Sequence, residues 1–281
     1  MIGDLHCHSK LSDSSMGLES LLFYAKRMGL DFIAVTDHDT LAGTTRAAVI
    51  GKRVGIGVIP GVEMSCVDKA RGRKVHMLCY LPAKPDRLEG MLGKVIASRT
   101  KAGQRMVEKV MRYYPVTLDH IAKYYAPSKS IYKQHIMNAL FDLGYCDGIY
   151  GELYNHLFDP KTGLCYEKVE YPDVHETLDL IHQSGGIAVL AHPRVYNSFD
   201  LMEELAGKKL IDGIEASHPK NQPGDYERIV DLADHFDLIT TGGTDFHGMY
   251  NSRPNPLCTC VTQQESLDRL FQLSDKLKAK E

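Results

Sequence analysis

Three short motifs constrain the fold of this chain more than any other feature: DLHCHS from Asp4 to Ser9, TDHD from Thr36 to Asp39, and GTDFHG from Gly243 to Gly248. Each follows an apolar run or a glycine pair of the kind that ends a strand. In the first motif Asp4, His6 and His8 alternate, and a strand points every second side chain to one face, so all three can aim at one point. Each motif has a plainer reading on its own: an incidental His-x-His, a polar turn, a capped loop. Their recurrence in one context favours a single site. Imidazoles and carboxylates converging from several strand ends suit borderline divalent metals such as zinc, manganese and iron. The pattern predicts a multinuclear metallohydrolase.

The chain has 281 residues, enough for one large core, and α/β barrels reach this length as single domains. Charge is nearly balanced, 33 Lys plus Arg against 36 Asp plus Glu, so no global field demands nucleic acid or a membrane. An anionic substrate must be caught locally. Seven cysteines are scattered without paired CxxC spacing, which fits a reduced compartment. With a motif at the first residues and no apolar run of membrane-spanning length, a cytoplasmic protein is expected.

Apolar runs alternate with amphipathic helical patterns. Leu18, Leu21, Leu22, Ala25 and Met28 fall at helical spacing, with Gly29 as a stop. Strands are predicted at DFIAVTDHD, at GVIPGVEMS (57–65), at KVHMLCYL (74–81), and in GGIAVLAHP, IDGIEASHP and LITTGGTDFHG. Asp173 and Glu176 have capping-box spacing. The alternation predicts an α/β fold with parallel pairing and helices outside, the ligand motifs lying at the strand ends. Residues 85–170 read instead as a mostly helical insertion or cap, so the barrel is expected to comprise 1–84 and 171–281. A tyrosine cluster, Tyr113, Tyr114, Tyr124 and Tyr125, lies in that segment.

DLHCHS followed by Asp13, then TDHD, PGVE, VHML, LAHP, ASHP and TDFHG resemble, in order and approximate spacing, the PHP (polymerase and histidinol phosphatase) family of metal-dependent phosphoesterases. The resemblance implies a distorted seven-stranded TIM-like β/α barrel and three divalent metal ions, manganese, iron or zinc. It implies a first metal at His6, His8, Glu63 and Asp245, a second at Glu63, His76 and His192, and a third at Asp13, His38 and His247. A carboxylate can bridge two ions where an imidazole cannot, which suits Glu63. His120, His156, His175, His182 and His235 lie in helical or loop contexts outside these motifs and are expected to be surface or packing residues. Asp37 and Asp39 are candidates to fix imidazole tautomers.

Clustered dications lower the pKa of a bound water and neutralise phosphoryl oxygens, so a metal-bound hydroxide attacking a phosphomonoester is the expected chemistry. Asp13 and His218 are the candidate catalytic side chains, His218 as the acid for the leaving alkoxide. Arg194, Lys133, His135 and His218 are candidate phosphate contacts. The branch of the family acting on nucleoside 3',5'-bisphosphates carries Arg-Pro-His where this chain has Lys133-Gln134-His135, and an arginine one position later than Arg194. The expected substrate is a small phosphorylated metabolite, first of all a nucleotide 3',5'-bisphosphate. The alternatives are histidinol phosphate, short oligonucleotides trimmed exonucleolytically, and a non-catalytic metal-binding module.

Overall fold

The structure is a computed structural model that describes residues 1–279. Eight strands form one sheet: β1 (Ile2–Cys7), β2 (Phe32–Val35), β3 (Gly57–Asp68), β4 (Arg73–Tyr80), β5 (Ile187–Leu190), β6 (Gly213–Ser217), β7 (Ile239–Gly242) and β8 (Thr262–Gln263). Their spatial order is β7-β6-β5-β4-β3-β2-β1-β8. Seven strands were expected; the eighth is a two-residue piece that pairs antiparallel with Ile2 and Gly3. It too reaches β7, since Thr262 Oγ1 accepts the Gly242 N–H at 2.8 Å. At the other end of β1, His8 N–H donates to Phe246 O at 2.9 Å. These bonds nearly close the sheet into a barrel.

Pairing is not uniformly parallel. β3–β4 and β4–β5 are antiparallel, while the remaining pairs from β1 to β7 are parallel. The physical reason lies in the connections: only residues 69–72 join β3 to β4, far too few for a crossover, so the strands form a hairpin.

Alternation along the strands sorts residues between two cores. On β3 and β4, Val62, Met64, Cys66, Val75, Met77 and Cys79 face the outer helices, packing with Val174, Leu178 and Ile181 of α7 (Val174–Gln183). Ile59, Leu78 and Tyr80 point inward beside Leu5, Val189 and Ile239, with Leu267 and Leu270 of a C-terminal helix (Gln264–Lys278) against them. The inward parity that carries Leu78 and Tyr80 also carries His76, and that of Ile59 carries Glu63.

The remaining helices obey the predicted periodicity. α1 (Leu18–Arg27) buries Leu18, Leu21, Leu22 and Ala25, and Gly29 follows at φ +86°. α2 is Thr44–Val54. Between β4 and β5 come α3 (Asp86–Tyr113), α4 (Leu118–Tyr125), α5 (Lys133–Asp142) and α6 (Glu152–Phe158), before α7. They share their own core of Met106, Val110, Ile121, Ile136, Leu140 and Phe158. Asp173 caps α7 by accepting the His175 N–H at 2.9 Å, but Glu176 pairs with Lys69 instead of completing a capping box. α8 (Phe199–Gly207) and α9 (Asp225–Phe236) cover β5 and β6. No helix among the described residues is long and apolar enough to cross a membrane.

Candidate metal centre

Glu63 stands at the middle of the strand-end cluster, fully buried. Its Oε1 lies 2.6 Å from His76 Nδ1 and 2.9 Å from His192 Nε2. Its Oε2 lies 3.2 Å from His6 Nε2, 3.1 Å from His8 Nε2 and 3.0 Å from His38 Nδ1. Asp245 Oδ1 closes the same side, 3.2 Å from His8 Nε2. Further out, Asp13 Oδ1 is 3.2 Å from His247 Nε2 and Asp13 Oδ2 is 3.8 Å from His38 Nε2. The sets His6/His8/Glu63/Asp245, His8/Asp13/His38/His247 and His38/Glu63/His76 each present ligand atoms within 4.8 Å of one another, a spacing able to hold a metal ion.

The electrostatics fit a cation-binding site. Burial would raise the Glu63 carboxyl, yet His76, His38 and His6 hold it well below the usual range. Burial likewise opposes Asp245, which His6 and His247 keep well below normal. Burial, with His8 and His76 beside it, drives His38 well down against the pull of Glu63 and Asp13, leaving it neutral, as a metal ligand must be. The decisive observation is a set of orphans: His6 Nε2, His8 Nε2, Asp13 Oδ1, His38 Nδ1 and Glu63 Oε2 are buried without a hydrogen-bond partner. Each such atom costs about 1–3 kcal/mol, and a divalent ion partners several at once.

The backbone bends to build this arrangement. His192 (φ 25°) and Asp245 (φ 49°) lie in the left-handed region just after β5 and β7, where non-glycine residues are strained. Asp4 does not join its neighbours. The β1–β2 register shifts between Asp4 and Cys7, a bulge that breaks the alternation. Asp4 instead accepts the Thr244 N–H at 3.0 Å and its Oγ1–H at 2.7 Å, tying β1 to the GTDFHG loop.

Neither aspartate flanking His38 touches an imidazole. Asp37 accepts from Ser9 N–H at 2.7 Å and Ser12 Oγ at 2.6 Å, fixing the DLHCHS loop. Asp39 accepts from Ser65 N–H and Arg99 Nη2, at 2.8 and 2.6 Å. The orienting carboxylate is Glu215 on β6: Oε1 is 2.9 Å from His6 Nδ1, and Oε2 accepts the His192 N–H at 2.8 Å. Its position in IDGIEASHP, three residues before His218, was the signal available in the sequence.

The candidate substrate contacts divide. A cavity of about 210 Å³ beside the cluster is lined by Asp13, His38, His76, Lys74, Arg99, Lys133, Gln134, Tyr132, Tyr154, Tyr166, Tyr171 and Tyr196, among others. Lys133, at the start of α5, sits 4.8 Å from the Tyr166 ring centre and donates to Phe158 O at 3.1 Å. Burial, aided by Lys74, lowers its ammonium to about 8. Arg99 of α3, which sequence reasoning passed over, lies 4.7 Å from the Tyr132 ring centre with its Nε buried and unpaired. His218 is buried at the cluster edge, Nε2 3.5 Å from Asp245 Oδ2.

Arg194 and His135 are placed elsewhere. Arg194 forms a two-point pair with Asp225, its Nε at 2.6 Å, and its guanidinium covers Phe199, so it does not line the cavity. His135 is buried against Tyr132 and Tyr250, its Nδ1 accepting the Tyr132 N–H at 3.2 Å, and burial lowers it to about 4. Tyr114, Tyr124 and Tyr125 pack on the core shared by α3 to α6, and Tyr113 is exposed. Of the two readings for His120, His156, His175, His182 and His235, surface or packing, the structure gives the surface: all five are exposed.

Comparison with known proteins agrees with this site. The chain is 35% identical over 257 residues to a phosphoribosyl 1,2-cyclic phosphate 1,2-diphosphodiesterase of Eggerthella lenta, covering 91% of this chain and 97% of the relative. It is 26% identical to a 3',5'-nucleoside bisphosphate phosphatase of Chromobacterium violaceum, covering 87% and 86%. A solved structure from Bifidobacterium adolescentis, described as a metal-dependent phosphoesterase, superposes with a TM-score of 0.85 at 27% identity, covering 96% of both chains. The PHP domain profile matches residues 4–275, from the first of the strand-end motifs to the C-terminal helix. The chain belongs to the PHP domain family and is a metal-dependent phosphoesterase.

Proposed function

We propose that the chain hydrolyses a phosphate ester of a small metabolite at a centre of three divalent ions. His6, His8, Glu63 and Asp245 would hold the first, Glu63, His76 and His192 the second, and Asp13, His38 and His247 the third. The observation that carries this reading is the division of Glu63: its two oxygens face different imidazoles at 2.6–3.2 Å, as a bridging carboxylate requires. Bound there, the ions would activate a water and neutralise phosphoryl charge.

The protein's own groups supply orientation. Glu215 fixes the His6 ring, and Gln134 Nε2 donates to Asp13 Oδ2 at 3.1 Å. His218 Nδ1 accepts the Lys220 N–H at 3.1 Å, which leaves the ring proton on Nε2, facing the cluster. That tautomer supports a hydrogen-bond donor to a phosphoryl oxygen. Acting as the leaving-group acid would need a second ring proton, placed against the Lys220 N–H.

Lys74, Arg99 and Lys133 enter one cavity together with the cluster, and among the described residues neither lysine is paired with a carboxylate: Lys74 stands over the Tyr171 ring and Lys133 over that of Tyr166. Such a wall suits a second anionic group. A nucleoside 3',5'-bisphosphate is therefore the first substrate proposed. A second reading, a cyclic phosphate on a phosphorylated pentose, draws support from the E. lenta relative and from the cavity's 210 Å³ volume, below the roughly 300–1,000 Å³ common for ligand pockets. The test is turnover by manganese-loaded protein of both compounds, their monophosphates, histidinol phosphate and short 5'-phosphorylated oligonucleotides, read as phosphate release for the monoesters and by chromatography for the cyclic diester and the oligonucleotides, whose first cleavage frees no phosphate. The reading expects the two doubly phosphorylated compounds to lead; equal release from monophosphates, or preference for oligonucleotides, contradicts it.

A further inference from the structure

Tyr196 follows β5 in the stretch AHPRVY and lines the cavity. Its ring meets His76 edge-on, with centroids 5.0 Å apart, and its Oη lies 3.3 Å from His76 Nε2. The other nitrogen of that ring, Nδ1, is the one turned to Glu63 Oε1 at 2.6 Å. A neutral imidazole that gives its Nδ1 lone pair to a cation keeps its proton on Nε2. Nε2–H then donates to Tyr196 Oη, and the phenol's own proton must point elsewhere. No other acceptor for Tyr196 Oη is found among the described residues. The open direction is the cavity, where Lys74, Arg99 and Tyr171 also stand.

We propose that Tyr196 is a substrate-contacting residue, its O–H donating to a non-bridging phosphoryl oxygen beside the second ion position. The proposal rests on the hydrolytic reading above. It also implies a reversal. In the metal-free protein His76 Nδ1–H can donate to Glu63, Nε2 becomes the acceptor, and the Tyr196 O–H turns onto the histidine. Loading the site thus frees the phenol for the substrate.

The experiment is Tyr196→Phe, which keeps the ring and removes only the hydroxyl, read by calorimetry with inorganic phosphate, by metal content and by turnover. In manganese-loaded protein phosphate should bind about tenfold more weakly than in wild type, whereas metal-free protein should show no difference between the two. Turnover should fall on the order of 10- to 100-fold, equally for aryl and alkyl phosphates, with metal content unchanged. Wild-type turnover and phosphate affinity in the variant would overturn the proposal. So would a loss fully restored by excess manganese, which would make Tyr196 a positioning residue for His76. A loss confined to alkyl phosphates would overturn the assignment to a phosphoryl oxygen. Glu63→Gln, measured alongside, separates the two levels: if it keeps full turnover, the Glu63-bridged centre falls and takes this proposal with it. If it is inactive while Tyr196→Phe behaves as wild type, only the tyrosine proposal falls.

Discussion

Lys133 holds its ammonium among Tyr154, Tyr166 and Phe158, where burial and Lys74 lower it from the ordinary 10.5 to about 8. Below about pH 8 the folded lysine is charged and can hold a second phosphate; as pH rises through 8 the charge, and that attraction, are lost. Above pH 8, binding a dianion should draw a proton back onto Lys133. We expect kcat/KM for a bisphosphate relative to its monophosphate to step down near pH 8. Lys133→Met should remove both the step and about tenfold or more of the preference. A preference unchanged in the variant would show that Lys133 does not read the second phosphate. At this scale the convergence of His6, His8, Glu63 and Asp245 was legible, whereas the structural duties of Asp4, Asp37 and Asp39 in the same motifs were not. Arg99 was not legible: it lies in an ordinary amphipathic helix, and only the fold brings its guanidinium between Tyr132 and Tyr171. Arg194 misled for the converse reason, since its distant partner Asp225 lies 31 positions along the chain.

At the level of elements, period-two patterning made the strands readable and put His76 and Glu63 on the inner face. Pairing direction was not readable from composition, and depended on the short connection at 69–72. The β1 bulge is equally silent in sequence, so Asp4 was grouped with His6 and His8 although it holds Thr244. Gly243 explains how that loop gets so close. A Cβ there would lie 2.3 Å from His6 Cβ and 2.5 Å from His6 N, so only glycine lets the end of β7 cross the end of β1. Gly243→Ala should therefore push His6 from its place and cost about 1–3 kcal/mol. The check is thermal unfolding with and without manganese. The midpoint should drop even without metal, and the stabilisation by manganese should shrink. A wild-type midpoint together with wild-type metal content would contradict this close approach.

Over the whole molecule, the proposed centre would draw ligands from the first eight residues and from 245–247, side chains that meet only when the sheet closes on itself. That closure depends on β8 and on the loop after β7, pieces too short to leave a periodic signal, which is why seven strands were expected and eight are found. If the proposed division holds, with 85–170 inserted into a barrel of 1–84 and 171–281, every proposed metal ligand comes from the barrel while Arg99, Lys133 and Gln134 come from the insertion. The proposed substrate contacts would then come from both parts of the chain, since Lys74 and Tyr196 lie on the barrel. The central claim is the three-ion centre, and anomalous scattering from crystals grown with manganese tests it most directly. The account predicts three peaks: one enclosed by His6, His8, Glu63 and Asp245, one by Glu63, His76 and His192, and one by Asp13, His38 and His247. A single peak, or peaks that leave Glu63 touching only one ion, would contradict it.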